Sequence, residues 1–433
     1  DWGIPILEGF DAAHLQPHPD LVIVGNVIRA TNPEAAYVRE KGLPTLSMPQ
    51  AVAEFGIGGR HSIVIAGTHG KTTTTALAAH ILMQAGRDPG YLVGGALVGY
   101  PESFRATQGN FFVVEGDEYD TAYFDKGPKF LHYRARTAVI TSLEFDHADI
   151  FASIEAVERA FAGLVKTVPP EGHLVVWHGA HRARALIAAH GRTARVTTYA
   201  TEPQPDANLT LKHHTSGPEG LTFEPVRRGE SLGTLQVPLW GDFSACNALA
   251  VIGALEDAGL TPTELRRGFE TFQGVRRRME VRGAPGGVTV VDDFAHHPTA
   301  VEVTLAGART RWPGSRLWAL FEPRSATSRR NVFQKEYVQA FLGADEVIIA
   351  SHARLGEIPE AQRFDPVLLA RSITERGGHG RAIADVAQIA RTVIDEARPS
   401  DVVMVLSNGD FGGLHDALLT GLQAKAGGGG GRP

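Results

Sequence analysis

SIVIAGTHGKTTT, residues 62–74, carries the strongest structural signal in the chain. Its apolar part, residues 62–66, predicts a buried strand, and a helical pattern over residues 72–85 follows the glycines. Strand patterns alternate with helical patterns in the same way along most of the chain. This alternation predicts an α/β fold with a mostly parallel sheet covered by helices.

The loop between that strand and that helix has the composition of a phosphate-binding loop, here called the P-loop. Its glycines let backbone amides and the helix N-terminus face phosphate oxygens. Lys71 supplies a point charge for the outer phosphates, and Thr72 offers a hydroxyl to Mg²⁺. The common pattern has glycine where this chain has Ile65, so the alternative is a glycine-rich turn with an exposed lysine. The residues predicted to bind nucleotide here are Gly67, Thr68, His69, Gly70, Lys71, Thr72 and Thr73.

The composition is that of a globular protein. Its 433 residues are 43% hydrophobic and 21% charged, which excludes disorder and fibrous repeats. No apolar run reaches the about 18 residues of a membrane span, and the start of the chain lacks the pattern of a signal peptide. The net charge of −6 is spread along the chain, so we expect neither nucleic acid nor membrane as a partner. The single cysteine, Cys246, fits a reducing cytoplasm.

Changes in pattern divide the chain into parts. The start holds two apolar runs and one short helical pattern, which is too little for an independent domain. A turn-rich stretch at residues 283–287 is the best candidate for a domain boundary. The predicted parts are a partial N-terminal domain at 1–57, a P-loop domain at 58–283 with antiparallel strands in 208–239, a second α/β domain at 284–426 and a flexible tail at 427–433.

Acidic residues follow the next strands of the P-loop domain. EGDEYD, residues 115–120, places four acids at a strand's carboxyl end, where they repel one another unless a cation lies among them. EFDHAD, residues 144–149, follows the third strand at the same edge of the sheet. A metal role for His147 is therefore expected; the alternatives are a solvated acidic loop and a structural histidine.

The second α/β domain places polar residues after four strands, at the end where open sheets bind ligands. These runs are DDFAHHP at 292–298, EPRS at 322–325, SH at 351–352 and SNGD at 407–410. The paired histidines do not predict zinc, because no cysteine or close His/Glu spacing completes a site. RRRME, residues 276–280, places three guanidiniums between the domains, and we expect phosphate contact there rather than a solvated turn.

These motifs, in this order, resemble the Mur ligase family over about residues 4–425. The resemblance implies a partial N-terminal domain for a UDP-sugar, a central P-loop domain that binds ATP and a Rossmann-like C-terminal domain that binds the amine substrate. It implies ATP and Mg²⁺ as cofactors and amide formation in peptidoglycan synthesis. The family's N-terminal glycine-rich loop for uridine diphosphate is absent, so we expect a truncated first domain.

Within the family, His69 and the DDFAHHP run resemble the branch that acts on UDP-N-acetylmuramate. One member of this branch adds L-alanine, and another adds the tripeptide L-alanyl-γ-D-glutamyl-meso-diaminopimelate in peptidoglycan recycling. Residues 123–130, 322–325 and 407–413 favour the tripeptide enzyme. We expect ligation through an acyl phosphate, with no obligate protein partner. The alternatives are the alanine ligase and a non-catalytic nucleotide-binding protein, and the third amino acid stays open between diaminopimelate and lysine.

The resemblance also implies roles for individual residues. Catalytic roles fall on Lys71, Glu115, His147, Asp293 and His296, and metal ligation falls on Thr72, Glu115 and His147. Nucleotide contacts outside the P-loop fall on Asn247, Arg278 and Asp293. Substrate contacts fall on Asn26, Asn32, His297, Arg324, Ser325 and Asn408. Ser244 replaces a family asparagine, and the helix after His147 carries Arg159 and no lysine before Lys166, so we expect no carbamylated lysine.

Overall fold

The computed structural model describes residues 3–148, 150–191, 193–351 and 358–428. Asp149, His352 and residues 429–433, which enter the sequence analysis, lie outside the described residues.

The first part of the chain is a small α/β unit. Strand β1 (Val22–Val24) pairs parallel with β2 (Thr45–Ser47), and helix α1 (Pro33–Lys41) connects them. Helix α2 (Met48–Ala51) continues as a π-helical segment, Val52–Ile57. The apolar run at residues 4–7 forms no strand and leaves Ile6 90% exposed.

The middle part is built on one sheet of eleven strands. Its strands, with the separate hairpin β7–β8, are β3 (His61–Ala66), β4 (Gly90–Leu92), β5 (Phe104–Arg105), β6 (Phe111–Gly116), β7 (Asp120–Ala122), β8 (Asp125–Pro128), β9 (Thr137–Ile140), β10 (His173–Trp177), β11 (Arg195–Ala200), β12 (Leu209–Gly217), β13 (Gly220–Arg227), β14 (Glu230–Ser231) and β15 (Leu235–Val237). The order is β14-β13-β12-β11-β10-β9-β3-β6-β4-β5, with β15 on β13. Its helices are α3 (Lys71–Gln84), α4 (Ile154–Thr167), α5 (His181–His190), α6 (Asp242–Ala254) and α7 (Pro262–Glu270).

The centre of this sheet is parallel from β4 to β12, and helices cover both faces. Helices α3, α6 and α7 bury one face, and α4 and α5 bury the other. Strands buried on both faces read as continuous apolar runs, which explains why their positions are so clear in the sequence. The antiparallel strands predicted in 208–239 extend the same sheet through β12 and β13.

The C-terminal part is a second open α/β sheet. Its strands are β16 (Glu280–Gly283), β17 (Thr289–Asp293), β18 (Leu317–Phe321), β19 (Glu346–Ile349), β20 (Gly380–Ala382) and β21 (Val402–Leu406), in the order β16-β17-β21-β18-β19-β20. Its helices are α8 (Pro298–Arg311), α9 (Glu336–Phe341), α10 (Pro366–Glu375), α11 (Val386–Glu396) and α12 (Leu414–Gly428). Across the described chain, the helices lack the combination of length and apolar character that crossing a bilayer requires.

The predicted boundary at residues 283–287 is wrong. Strand β16 pairs antiparallel with β17, so the turn-rich stretch connects two strands of one sheet. The sequence does not show this, because β16 has only four residues, two of them charged, with Val281 as its one large apolar residue. The C-terminal sheet therefore begins at Glu280, and the hinge between the domains precedes it. Helix α12 reaches Gly428, so the predicted tail begins inside a helix.

The middle and C-terminal domains touch near this hinge. A β-carbon on Gly241 would lie 3.2 Å from Gly307 Cα in α8, so two backbones meet with no side chain between them. Beside them, the Arg311 guanidinium stacks 3.7 Å from the ring centroid of Trp240. A cation–π contact of this kind holds the two domains in register.

Candidate active site

The P-loop follows β3 and turns through two glycines with positive φ. Gly67 has φ +132° and Gly70 has φ +79°, conformations that residues with a side chain rarely adopt. A β-carbon on Gly67 would collide with the Thr141 side chain, and one on Gly70 would lie 2.6 Å from Asn247 Oδ1. The loop therefore packs so closely on its neighbours that only glycine fits at both positions.

Lys71 is buried, which rules out the alternative of a glycine-rich turn with an exposed lysine. Its side chain is 11% exposed, and its ammonium donates to Gly67 O at 2.7 Å and to Glu118 Oε2 at 2.9 Å. Burial alone would lower the pKa of Lys71, but the carboxylates of Glu118 and Asp117 outweigh burial and raise it. Lys71 is therefore charged and fixed against the loop.

Thr72 and Glu115 form an oxygen pair beside the P-loop. The Thr72 hydroxyl donates to Glu115 Oε1 at 2.9 Å, and Glu115 Oε2 accepts from the Gly94 amide at 2.7 Å. Arg278 arrives from the hinge, with Nη2 3.3 Å from Thr72 Oγ1. Burial, followed by repulsion from Asp117, raises the pKa of Glu115. A hydroxyl and a carboxylate are hard oxygen ligands, so the donor set fits Mg²⁺.

The four acids of residues 115–120 do not depend on a shared cation. Three have a lysine partner each: Asp117 with Lys129 at 2.9 Å, Glu118 with Lys71 at 2.9 Å and Asp120 with Lys126 at 2.6 Å. The expected repulsion is therefore relieved by lysines of this chain at Asp117, Glu118 and Asp120, and it persists at Glu115, where Asp117 raises the pKa. Of the four, Glu115 has no ion pair among the described residues.

His147 lies in the loop after β9 and faces Glu118. Its φ is +53°, and its amide donates to Asp146 Oδ1 at 2.7 Å. Its Nε2 lies 3.5 Å from Glu118 Oε1. Burial alone would lower the pKa of His147, but the bond to Glu118 and the charge of Asp146 raise it. The structure joins His147 to Lys71 through Glu118, and its metal role remains a prediction.

Glu118 is the residue of this site that the sequence reasoning did not single out. Its side chain is 3% exposed, and it bridges Lys71 and His147. Burial alone would raise the pKa of Glu118, but the charges of Lys71 and His147 and their hydrogen bonds together outweigh burial and lower it. The available signal was four acids in six residues, which does not show which acid turns toward the lysine.

Asp293 holds the hinge against β17. Its two carboxylate oxygens accept from the Met279 and Ala295 amides, both at 2.8 Å. Burial raises the pKa of Asp293, although the charge of Arg278 opposes this shift. The Arg278 guanidinium in turn stacks 4.7 Å from the ring centroid of Phe294. Asp293 therefore fixes the backbone that carries Arg278, and its own nucleotide contact stays a prediction.

His296 is a neutral imidazole beside Asp146. Burial lowers the pKa of His296, although the charge of Asp146 opposes this shift. Its Nδ1 lies 3.0 Å from the Phe294 carbonyl, which can only accept, so Nδ1 carries the proton. Nε2 of His296 is then left with a lone pair.

His69 and His297 come from different domains and meet at the P-loop. Their ring centroids are 4.7 Å apart. His297 caps helix α8, because its Nδ1 accepts from the Thr299 amide at 3.3 Å. Burial, followed by the charge of His69, lowers the pKa of His297 to about 4. His297, predicted to bind substrate, thus lies next to the nucleotide loop.

Asn247 supports the start of α3. Its Oδ1 accepts from the Thr74 hydroxyl at 3.3 Å and packs on Gly70. Ser244, which stands where the family has asparagine, donates to Trp240 O at 2.8 Å. The structure thus brings Asn247 to the P-loop and turns Ser244 back onto its own helix start.

Arg324 lies at the carboxyl ends of β18 and β21. Its Nη1 is 2.8 Å from Asp410 Oδ1 and 3.8 Å from Glu322 Oε1. The guanidinium lies so close over Gly409 that a β-carbon there would collide with it. Arg324 is 41% exposed, so solvent still reaches its donors.

Ser325 and Asn408 flank Arg324 on the same two strand ends. Ser325 Oγ accepts from the Ser328 amide at 3.0 Å and bonds the Ser328 hydroxyl at 2.8 Å. Asn408 Oδ1 is buried and has no hydrogen-bond partner among the described residues. A buried acceptor without a donor is costly, so Asn408 is the better candidate of the two for a ligand contact.

Asn26 and Asn32 lie in the N-terminal unit. Asn32 Oδ1 caps α1 by accepting from the amides of Glu34 at 2.9 Å and Ala35 at 3.2 Å. Asn26 is exposed in the turn after β1. Their contacts with a UDP-sugar stay predictions.

Three family models match consecutive parts of the chain. "Mur ligase family, catalytic domain" matches residues 1–58, "Mur ligase middle domain" matches 65–255, and "Mur ligase, glutamate ligase domain" matches 277–409.

Individual relatives agree with these matches. UDP-N-acetylmuramate–L-alanyl-γ-D-glutamyl-meso-2,6-diaminoheptandioate ligase of Escherichia coli is 36% identical, with 98% of this chain and 89% of that protein covered. UDP-N-acetylmuramate–L-alanine ligase of Anaeromyxobacter dehalogenans is 33% identical over 93% of this chain and 85% of that protein. The crystal structure of a murein peptide ligase from Psychrobacter arcticus superposes with a TM-score of 0.70 at 31% identity, covering 97% of this chain and 89% of that chain. Family models and relatives both span nearly the whole chain, and this protein therefore belongs to the Mur ligase family of ATP-dependent, amide-forming enzymes.

Proposed function

We propose that this protein joins L-alanyl-γ-D-glutamyl-meso-diaminopimelate to UDP-N-acetylmuramate at the expense of ATP. The similarity to the Escherichia coli ligase of that name supports the substrates. The observation that carries the choice of amine is Arg324, a partly exposed guanidinium at strand ends where open α/β sheets bind ligands. A guanidinium binds a carboxylate through two parallel hydrogen bonds, and the tripeptide offers carboxylates that free alanine lacks.

ATP is needed because a carboxylate does not acylate an amine at neutral pH. The lactyl carboxylate of UDP-N-acetylmuramate attacks the γ-phosphorus, and the bond from that phosphorus to the β,γ-bridging oxygen breaks. ADP and an acyl phosphate result. The α-amine of the tripeptide then attacks the acyl carbon, a C–N bond forms, and phosphate leaves as the amine loses a proton.

Lys71 and the P-loop amides stabilise the phosphoryl group during its transfer. Lys71 is already charged and fixed against Gly67 O, so little reorganisation is required of it. Thr72 and Glu115 would hold Mg²⁺, which neutralises phosphate charge when it is bound. Arg278 lies within 3.3 Å of Thr72 Oγ1 and brings a second cation to the same oxygen cluster.

We assign to His296 the role of receiving the proton of the attacking amine. Its ring is neutral because burial lowers its pKa, and its Nε2 keeps a lone pair while Nδ1 bonds the Phe294 carbonyl. The Asp146 carboxylate would stabilise the imidazolium that forms. We place the reaction in the cytoplasm, which agrees with the half-buried free thiol of Cys246.

The decisive experiment measures ADP release and product mass with ATP, Mg²⁺ and UDP-N-acetylmuramate, adding the tripeptide or L-alanine. We expect the protein to ligate the tripeptide and to form little product with alanine. A preference for alanine would assign the protein to the alanine-adding activity instead. ATP binding without ligation of either amine would contradict both assignments. A lysine-containing tripeptide in parallel tests the third residue.

A further inference from the structure

Two residues that mark the UDP-N-acetylmuramate branch in the sequence contact each other in the structure. His69 belongs to the P-loop of the middle domain, and His297 precedes α8 of the C-terminal domain. They are 228 positions apart in sequence, yet their ring centroids are 4.7 Å apart. Neither the phosphate-binding chemistry nor the amine site requires this contact.

Glu144 joins the same contact from the loop after β9. Its Oε2 lies 3.4 Å from His69 Nε2 and accepts from the Thr299 hydroxyl at 2.8 Å. One carboxylate oxygen is therefore shared by a side chain of the nucleotide loop and a side chain of the C-terminal domain. We call Glu144, His69 and Thr299 the interdomain triad.

The backbone of Glu144 is also tied to the P-loop. The Glu144 amide donates to Thr68 Oγ1 at 2.8 Å, and the Thr68 hydroxyl lies 3.3 Å from Glu144 O. The His69 amide donates to Ser142 Oγ at 3.0 Å, in the same loop. A displacement of Glu144 therefore moves the P-loop with it.

The charge on Glu144 makes the triad strong. Burial alone would raise the pKa of Glu144, but the hydrogen bonds from His69 and Thr299 and the charge of His69 lower it to about 2. Hydrogen bonds to an ionised acceptor are roughly twice as strong as neutral ones. Thr299 is the partner that the carboxylate would lose if the C-terminal domain swung away.

A metal ion is the competing explanation for this cluster, because donor atoms of His69, Glu144 and His297 lie within 4.8 Å of one another. His297 argues against it. Its Nδ1 accepts from the Thr299 amide, so the proton of the neutral ring lies on Nε2 and no lone pair is left there. Nε2 of His297 has no hydrogen-bond partner in the part of the chain that the structure describes, and the ring stands edge-on to Phe333, with centroids 4.6 Å apart.

We propose that Glu144 is a positioning residue that couples closure of the C-terminal domain to the P-loop, through its shared contacts with His69 and Thr299. Closure adds the Thr299 bond to a carboxylate that already holds the P-loop, so the loop is fully fixed only when the amine-binding domain is in place. This coupling would limit loss of the acyl phosphate to water before the amine arrives. The inference rests on ATP-dependent ligation but not on the identity of the amine.

Thr299→Val tests the coupling, because it removes the hydroxyl and keeps the shape. We expect kcat to fall roughly tenfold, as for the loss of one hydrogen bond to a charged group. The dissociation constant for ATP, measured without the other substrates, should change less than about twofold, since the P-loop itself is intact. Thr299→Ser keeps the hydroxyl and should restore kcat. Thr310→Val, on the same helix, removes a hydroxyl that bonds only within α8 and should match the parent protein.

A double-mutant cycle separates coupling from independent damage. With Glu144→Ala in place, adding Thr299→Val should cost nothing further, because its partner is already gone. Glu144→Gln keeps an acceptor for Thr299 and should lose less than Glu144→Ala, which keeps the proposal testable if the alanine variant does not fold. Losses that multiply in the double variant, or equal losses in Thr299→Val and Thr299→Ser, would overturn the proposal.

Small-angle scattering gives a readout that needs no amine. In AMP-PNP and Mg²⁺, Thr299→Val should have a larger radius of gyration than the parent protein, and Thr310→Val should not. This result would hold even if the tripeptide proved to be the wrong substrate, so the two proposals fail separately. Equal radii of gyration in the two proteins would show a static contact instead of coupling. An increase in Tm with Zn²⁺ that Glu144→Ala abolishes would show a metal site instead.

Discussion

Lys71 and Glu118 form a buried ion pair at the P-loop, with Nζ 2.9 Å from Oε2 and side-chain exposures of 11% and 3%. The pair holds the lysine charged and in place before any nucleotide binds. It also means that the lysine contributes to folding as well as to phosphoryl transfer.

Lys71→Ala should therefore lower both kcat and Tm. The variant lacks the ammonium that stabilises the transferring phosphoryl group, so kcat should fall about 100- to 1,000-fold. Tm should fall because Glu118 loses its main cation while buried. ADP release and thermal unfolding measure the two effects. Lys71→Met with Glu118→Gln removes both charges and should recover Tm without recovering kcat. Activity above about a tenth of the parent level would contradict the phosphate role.

Glu115→Gln should raise the Mg²⁺ concentration needed for half-maximal activity. The substitution keeps the shape of the side chain that accepts from Thr72 and Gly94, but it removes the negative charge that would attract the ion. A Mg²⁺ titration of ADP release measures the shift. Asp120→Asn, in the same acidic run but paired with exposed Lys126, is the matched control and should leave the titration unchanged. His147→Ala in the same titration tests whether that histidine also serves the metal.

The stability contributed by His147 should depend on pH. Its folded-state pKa is raised above the about 6.5 of an unfolded chain, so the contribution is complete below that pH and disappears as pH rises through the folded-state pKa. His147→Gln should therefore lower Tm relative to the parent protein at about pH 5.5, with a smaller difference at about pH 8.5. A difference that is the same at both pH values would show that His147 acts by packing alone.

Arg324→Lys should raise the KM for the tripeptide about tenfold and leave that for ATP nearly unchanged. A lysine keeps the charge but loses the planar fork of donors. Gly409→Ala should have a similar effect without touching the arginine, because its β-carbon would push the guanidinium aside. Arg371→Lys, at an exposed position of helix α10 and paired with Glu375, is the control. Equal changes in the KM values for the tripeptide and for ATP would show that Arg324 is only a structural partner of Asp410.

The sequence predicts the sheets well because their central strands are buried on both faces. The buried strand predicted at residues 62–66 is β3, which begins one residue earlier, at His61. Strand β16 escapes prediction, because Glu280–Gly283 has no run of apolar residues and its contacts with β17 are backbone hydrogen bonds and an ion pair between Arg282 and Asp292.

The sequence predicts which residues form the candidate site better than it predicts which of them contact each other. The P-loop glycines, Thr72 with Glu115, and Arg278 near Thr72 come together as the motifs imply. The pairing of Lys71 with Glu118 depends on how the loop after β6 turns, and the contact of His69 with His297 depends on the angle between domains. Such long-range geometry leaves no trace in local periodicity or spacing.

The backbone contact between Gly241 and Gly307 sets how closely the middle and C-terminal domains can approach. Because neither glycine has a side chain, α8 packs directly on the backbone before α6, and Arg311 stacks on Trp240 beside this contact. A bulky residue at position 307 would act as a wedge, because even a β-carbon there lies 3.1 Å from Trp240 O. The absence of side chains that lets the two domains come together thus also makes position 307 a place where one added side chain would separate them.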